Sequence, residues 1–310
     1  MDNLKNRTVN LKNNFCKYVR EYKILYKFLN IYFLKIWIAL IICFLATPIY
    51  SIGILYINHD YANIVLPSVT TSSLLFLPFW LLPTIVIDLK KNSIIEKFFV
   101  FSKKPLYANS VPFIYFYPIV FLSNFWNLLL LYFVSFDKKT FPINFFEYTD
   151  WGSMIFSTIL AIFISLSIVS LFYTFFSNPI YSQIICYLLS MFCMFFSGYI
   201  IPLSVIINNH ALNVISYFSP FRYINSLFTI SMNMGVGTNI INNIHNINIF
   251  SFGKQFEVIK YGFDQNSNII EQGTLVLFKN YDLYLNIFVP IFVSATCLSI
   301  SLNTRMCKVK

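Results

Sequence analysis

Charge is missing from this sequence in long blocks. Uncharged stretches run from Ile36 to His59, Tyr61 to Ile87, Pro105 to Phe136, Trp151 to Phe221 and Leu283 to Thr304. A helix crossing ~30 Å of hydrocarbon needs about 20 residues with few or no charges, and each stretch is long enough. The fourth, at 71 residues, is too long for one crossing. Ser177-Asn178-Pro179 divides it where a turn-forming asparagine meets a proline. The sequence therefore predicts six spans, over about 34–57, 64–87, 107–135, 152–176, 180–203 and 283–303. Composition agrees, because 57% of the 310 residues are apolar and 11% are charged, where a soluble chain is about a quarter charged. So much apolar surface makes the bilayer part of the solvent. It excludes a disordered chain, a cytosolic enzyme and a disulfide-stapled secreted domain.

Basic residues set the orientation. With both termini inside, eight Lys/Arg fall in residues 1–35, five in Lys90 to Lys104 and three in the tail. The outer segments then hold six Lys/Arg against eight acids. The net charge of +10 is thus a topology signal, and no nucleic-acid partner is expected. The expected protein is an all-α polytopic membrane protein, multi-pass in the cell membrane, with both termini cytoplasmic. Its parts are a cytoplasmic N-terminus (1–33), a six-span domain (34–303) and a cytoplasmic tail (304–310). The six-span domain includes an inner loop (88–105) and an extracellular insertion (229–282). The first stretch has 24 uncharged residues, beyond the 7–15 of an export-signal core, and is expected to stay as a span.

Reactive groups are sparse. Cys43, Cys186, Cys193 and Cys297 lie in spans and Cys16 and Cys307 on the inner side, so no outer pair is available for oxidation. His59, His210 and His245 lie outside without metal-like spacing, and no metal site is expected. No span holds Asp, Glu or His in its interior, which leaves proton carriers, pumps and intramembrane proteases without their working groups. The only Gly-Lys pair, Gly253-Lys254, has Asn248 and Gln255 where a phosphate-binding loop needs Gly and Ser/Thr. The chain is expected to be no enzyme and to bind no cofactor itself. Energy for uphill transport would have to come from a partner.

Two inner segments are patterned for contact. From Lys17 to Leu34, Tyr18, Tyr22, Leu25 and Leu29 share one helical arc while Lys17, Arg20, Glu21 and Lys27 share another. This predicts an amphipathic helix against membrane lipid, the other reading being a frayed basic tail. Ser93-Ile94-Ile95-Glu96 has the form of a capping box, in which each side chain satisfies the other's amide. It would start a short helix carrying Ile94, Ile95, Phe98 and Phe99 and ending before Pro105. Docking to a partner and folding back onto the headgroups both bury that face.

In span 5, Ser197-Gly198-Tyr199-Ile200-Ile201-Pro202 joins the most flexible residue to one without an amide, and the helix should break there. The chain stays uncharged to Phe221, which suggests short helices dipping into the outer leaflet. Either the break lines a route through the protein or it is a kink in a packed helix. Farther on, Phe256 to Phe263 and Ile269 to Phe278 flank Asp264-Gln265-Asn266-Ser267-Asn268, a predicted hairpin.

The stretch SGYIIPLSVIINNHALNVISYFSPFRYINSLF, Ser197 to Phe228, resembles the signature of type-2 ABC transporter permeases. The likeness rests on Ser197-Gly198, on Pro202 four residues after the glycine, and on the aromatic-rich run Ile215 to Tyr223 with Tyr217, Pro220 and Arg222. Asp88 to Pro105 is similar to the family's coupling segment, with Asp88 before the short helix and Pro105 after it. Asn92-Ser93 stands where the family often has Gly-Thr, and Ile207-Asn208 where it often has Leu-Pro. The resemblance implies the permease subunit of an ATP-driven ABC transporter, an exporter. It implies pairing with a second permease subunit, as homo- or heterodimer, and with two ABC ATPase subunits that hold ATP and magnesium. Coupling would pass through Asp88, Ser93, Ile94, Ile95, Glu96, Phe98 and Phe99. The translocation path would pass Ser197, Gly198, Pro202, Tyr217, Pro220 and Arg222. The alternative is a passive channel or structural membrane protein without an ATPase. Spans lined by Phe, Tyr, Ile and Ser suit a lipid, a drug, a peptide or a glycolipid alike.

Overall fold

The computed structural model describes residues 19–20, 23–24, 26–27, 29–31, 37–57, 62–83, 85–86, 105–136, 146, 149–176, 178–201, 203–232, 256–263, 269–278 and 280–304. Its helices are α1 (Trp37–Ile57), α2 (Ala62–Phe76), α3 (Pro105–Val134), α4 (Trp151–Phe175) and α5 (Pro179–Phe196), followed by α6 (Leu203–Asn208), α7 (His210–Ser216), α8 (Pro220–Ser231) and α9 (Asn280–Asn303). Two strands, β1 (Phe256–Phe263) and β2 (Ile269–Phe278), pair antiparallel from Phe256 opposite Phe278 to Phe263 opposite Ile269. The paired runs are those the β-prone sequence marks out.

Among the described residues, three helices contain segments long and apolar enough to cross a membrane: Ser110–Val134, Trp151–Phe175 and Tyr284–Asn303. The other expected spans correspond to shorter apolar stretches, Phe44–Ile57, Val65–Trp80 and Ile180–Phe196. Two have visible causes. After Phe76, α2 passes into a π-helical turn at Leu77–Leu81, and α5 stops at Phe196, short of the expected 203.

Helix ends follow local chemistry. Asp150 caps α4, its carboxylate accepting from the Gly152 amide at 3.1 Å and from the Ser153 hydroxyl. The predicted division at Ser177-Asn178-Pro179 holds. Phe176 is extended, the Asn178 side chain accepts from the Ile180 amide at 2.9 Å, and Pro179 opens α5 where a missing amide costs nothing. Pro78 in the π turn cannot donate to the Leu74 carbonyl four residues back. The Ser165 hydroxyl of α4 stands 2.7 Å from that carbonyl and can bond to it.

The interior is built around α2 and α8. Every residue from Val65 to Leu75 and from Phe221 to Met232 is buried. α8 packs against α2, α4, α5 and α9. Outward faces are apolar, with Ile184, Leu188, Met191 and Phe195 exposed on α5 and Phe288, Ile291 and Phe292 on α9. Of the predicted N-terminal helix, the described residues between 19 and 31 are helical, with Leu29 buried and Arg20 and Lys27 exposed, as its two arcs require.

Candidate functional site: the break after α5 and its folded-back segment

Gly198 ends α5. Its φ of +93° is closed to most side chains, and it follows Ser197, whose amide still donates to the Cys193 carbonyl at 2.9 Å. Two residues on, the Ile200 amide closes the turn by donating to Met194 at 3.1 Å. A Cβ on Gly198 would lie 2.5 Å from the Asn225 side-chain nitrogen. Glycine therefore answers two demands here, the backbone angle and the close approach of α8.

That approach is held by hydrogen bonds. Asn225 donates to the Ser197 carbonyl at 2.7 Å and to the Ser68 hydroxyl at 3.3 Å. Ser68 in turn donates to the Gly198 carbonyl at 2.5 Å. The Ser197 hydroxyl meets that of Ser219, the residue preceding α8, at 2.5 Å. The carbonyls of Ser197 and Gly198, just past the end of α5, thus find donors on α8 and α2, as buried backbone groups must. The chain leaves the helix at Ser197 and turns into three short helices, so this is a helix end and not a bend in a continuous span.

A second cluster joins the folded-back segment to α9. Arg222 is 3% exposed, and its guanidinium carbon lies 3.6 Å from the centre of the Tyr217 ring. One of its nitrogens donates to the Asn213 carbonyl at 2.9 Å and to the Ser216 hydroxyl. The Tyr217 hydroxyl donates to Asp282 in the first turn of α9 at 2.8 Å, and Tyr223 donates to the Tyr217 carbonyl at 2.9 Å. Tyr217 therefore carries a cation on its ring face and a carboxylate at its hydroxyl. A buried guanidinium needs such company, because an uncompensated charge out of water costs several kcal/mol.

Of the residues singled out in the sequence, Ser197, Gly198, Tyr217, Pro220 and Arg222 gather along this one segment, with Pro220 opening α8. Pro202 lies outside the described residues. So does the whole expected coupling set, Asp88, Ser93, Ile94, Ile95, Glu96, Phe98 and Phe99. Sequence reading missed Ser68, Asn225 and Asp282. Asn225 had a signal, being three residues from Arg222 on a helix whose other polar positions recur at Ser226 and Thr229. Ser68 had none, since its partners lie 130 and 157 residues away. Among the described residues, no three His, Cys, Asp or Glu side chains group as a metal site. Compared with known proteins, the chain matches no family model, no curated protein and no solved structure.

Proposed function

We propose that this chain is the membrane permease subunit of an ATP-driven exporter of the type-2 ABC class. The observation that supports this most is the break after α5. A span ends in a left-handed glycine, and the chain then folds back as short helices, of which α8 is buried from Phe221 onward. Irregular backbone at membrane depth is tolerated only against protein or beside a water-filled path, and here it is bonded to α2 and α8.

In this reading α1, α2 with its π turn, α3, α4, α5 and α9 are six spans, both termini and residues 88–105 are cytoplasmic, and the β1–β2 hairpin lies outside. A second permease subunit completes the path. Two separately encoded ATPase subunits hold ATP and magnesium and dock at Ser93 to Phe101, where Phe98 and Phe99 are the anchors.

The test is a pull-down of tagged permease from membranes of its own host. An ATPase subunit should co-purify, and Phe98→Ser with Phe99→Ser should release it while the permease stays in the membrane at normal amounts. Aromatic anchors in a partner's groove are typically worth ~2 kcal/mol or more each. If no nucleotide-hydrolysing subunit co-purifies with the wild-type chain, the passive-channel reading replaces this one.

A further inference from the structure

The most polar stretch of α2 is Ser68-Val69-Thr70-Thr71-Ser72-Ser73, and all six residues are at most 1% exposed. Five hydroxyls in six positions point around the whole circumference of a helix, toward more than one neighbour. Several are satisfied directly. Ser72 meets the Ser51 hydroxyl of α1 at 3.0 Å, Ser73 donates to the Asn124 side-chain oxygen of α3 at 2.9 Å, and Ser68 is tied to the break.

The neighbours are less well served. On α3, the nitrogen of Asn124, the side-chain oxygen of Asn127 and the hydroxyl of Ser123 are buried and have no hydrogen-bond partner. The Tyr199 hydroxyl, just past α5, and the Tyr50 hydroxyl of α1 are in the same state. The Tyr199 hydroxyl lies close to Thr71 and near Tyr50, but its contact with Thr71 falls short of full hydrogen-bond geometry. Asn124, Asn127 and Tyr199 are 1%, 0% and 3% exposed. The two amides face α2, since Asn124 accepts from Ser73 and Asn127 donates to the Val69 carbonyl at 3.1 Å.

Turning an asparagine amide over does not cure this, because it exchanges an orphan donor for an orphan acceptor. Asn124 and Asn127 are three residues apart on one helix face, with ~5–6 Å between their Cβ atoms. A single water reaching ~2.8 Å in each direction spans that gap. Asn124 also falls near the middle of the Ser110–Val134 segment, where bulk water does not reach.

The geometry points to internal water bound as a collar around residues 68–73 of α2, bridging Asn124, Asn127 and Ser123 on one side and Tyr50, Tyr199 and Thr71 on the other. The ligand is neutral and both donates and accepts, as the mixture of orphaned groups demands. Buried water of this kind makes about three hydrogen bonds to groups otherwise left unsatisfied. This holds whether or not the chain works as a permease.

The test uses the full chain in lipid bilayers with asparagine side-chain nitrogens labelled, and Asn124→Leu and Asn127→Leu to assign the two signals. Water-edited solid-state NMR should show both amides receiving magnetisation from water as fast as exposed asparagines do. Transfer no faster than to buried apolar methyls overturns the collar at α3. Should a leucine variant fail to fold, Tyr50→Phe and Tyr199→Phe keep the question open. A dry orphaned hydroxyl is a burden, so its removal raises the thermal midpoint, whereas a water-bridged one lowers it on removal, by about 2 °C. A rise in both variants overturns the proposal; a fall supports it.

Discussion

α2 and α9 are both apolar on average and both turn polar side chains inward, but α2 is buried on every side where α9 keeps an apolar face exposed. Along α2 every residue from Val65 to Leu75 is buried, and of the hydroxyls in that stretch Ser72, Ser73 and Ser68 bond to α1, α3 and the break after α5. Along α9 the buried positions include Asp282, Asn286, Ser294 and Ser301, while Phe288, Ile291 and Phe292 face outward. In a water-soluble protein this sorting would be reversed, since apolar burial from water is the main driving force there. In lipid the outside is as apolar as the inside, and what specifies the packing is polar bonding and close approach. Substitutions at the polar interior contacts should therefore cost more than substitutions on the large outward aromatics.

The largest effect is expected at Gly198. Gly198→Val forces a branched side chain to a φ of +93° and drives its Cβ into Asn225. The angle alone costs ~1–2 kcal/mol, and displacing Asn225 leaves the Ser197 carbonyl without its donor for ~1–3 kcal/mol more. Folded protein recovered in detergent should fall severalfold. Adding Asn225→Ala to Gly198→Ala should recover part of the loss, since the clash is shared between the two residues. Strictly additive losses would mean the two do not touch.

Arg222→Lys comes next. Lysine keeps the charge but not the flat group stacked on Tyr217, one nitrogen of which reaches both the Asn213 carbonyl and the Ser216 hydroxyl. A loss of about 2 kcal/mol is expected, read as a lowered thermal midpoint. Tyr217→Phe keeps the ring and removes only the bond to Asp282, so it should cost less. Equal losses would place the weight on the α9 contact.

How far the sequence could disclose this follows from the range of each interaction. The Asn178 cap, the glycine at the end of α5 and the two strands are set by neighbours within a few residues, and all were legible. Arg222 reads as a charge at the end of an uncharged stretch, which suggests the surface, yet it is buried because Tyr217 and Ser216 fold over it. Ser68 and Ser165 look like ordinary span residues. Their roles depend on partners 91 to 157 residues away, which no local pattern encodes.

Ser165→Ala isolates one such role at smaller cost. It removes the nearby hydroxyl from the Leu74 carbonyl, which Pro78 has already deprived of its helical donor. A loss of ~1 kcal/mol is expected. In a Pro78→Ala background, where the helix can supply its own amide, the same change should cost clearly less. An unchanged cost would mean that Ser165 acts through its own helix, where the Ala161 carbonyl is also 2.7 Å away.

The smallest effect belongs to the outward face of α9. Phe292 is 70% exposed and Phe288 60%, so neither has much protein to lose contact with. Against lipid, Phe288→Leu with Phe292→Leu exchanges one apolar surface for another, and the change in stability should stay within ~0.5 kcal/mol. The informative readout is the oligomeric state in mild detergent, measured beside the thermal midpoint of the isolated chain. If both are unchanged, this face meets lipid and the contrast with α2 stands. If the midpoint holds while an assembled species dissociates, the face is covered by another protein. The aromatics of α9 then belong to an interface, and the sorting of polar inside from apolar outside stops at that face.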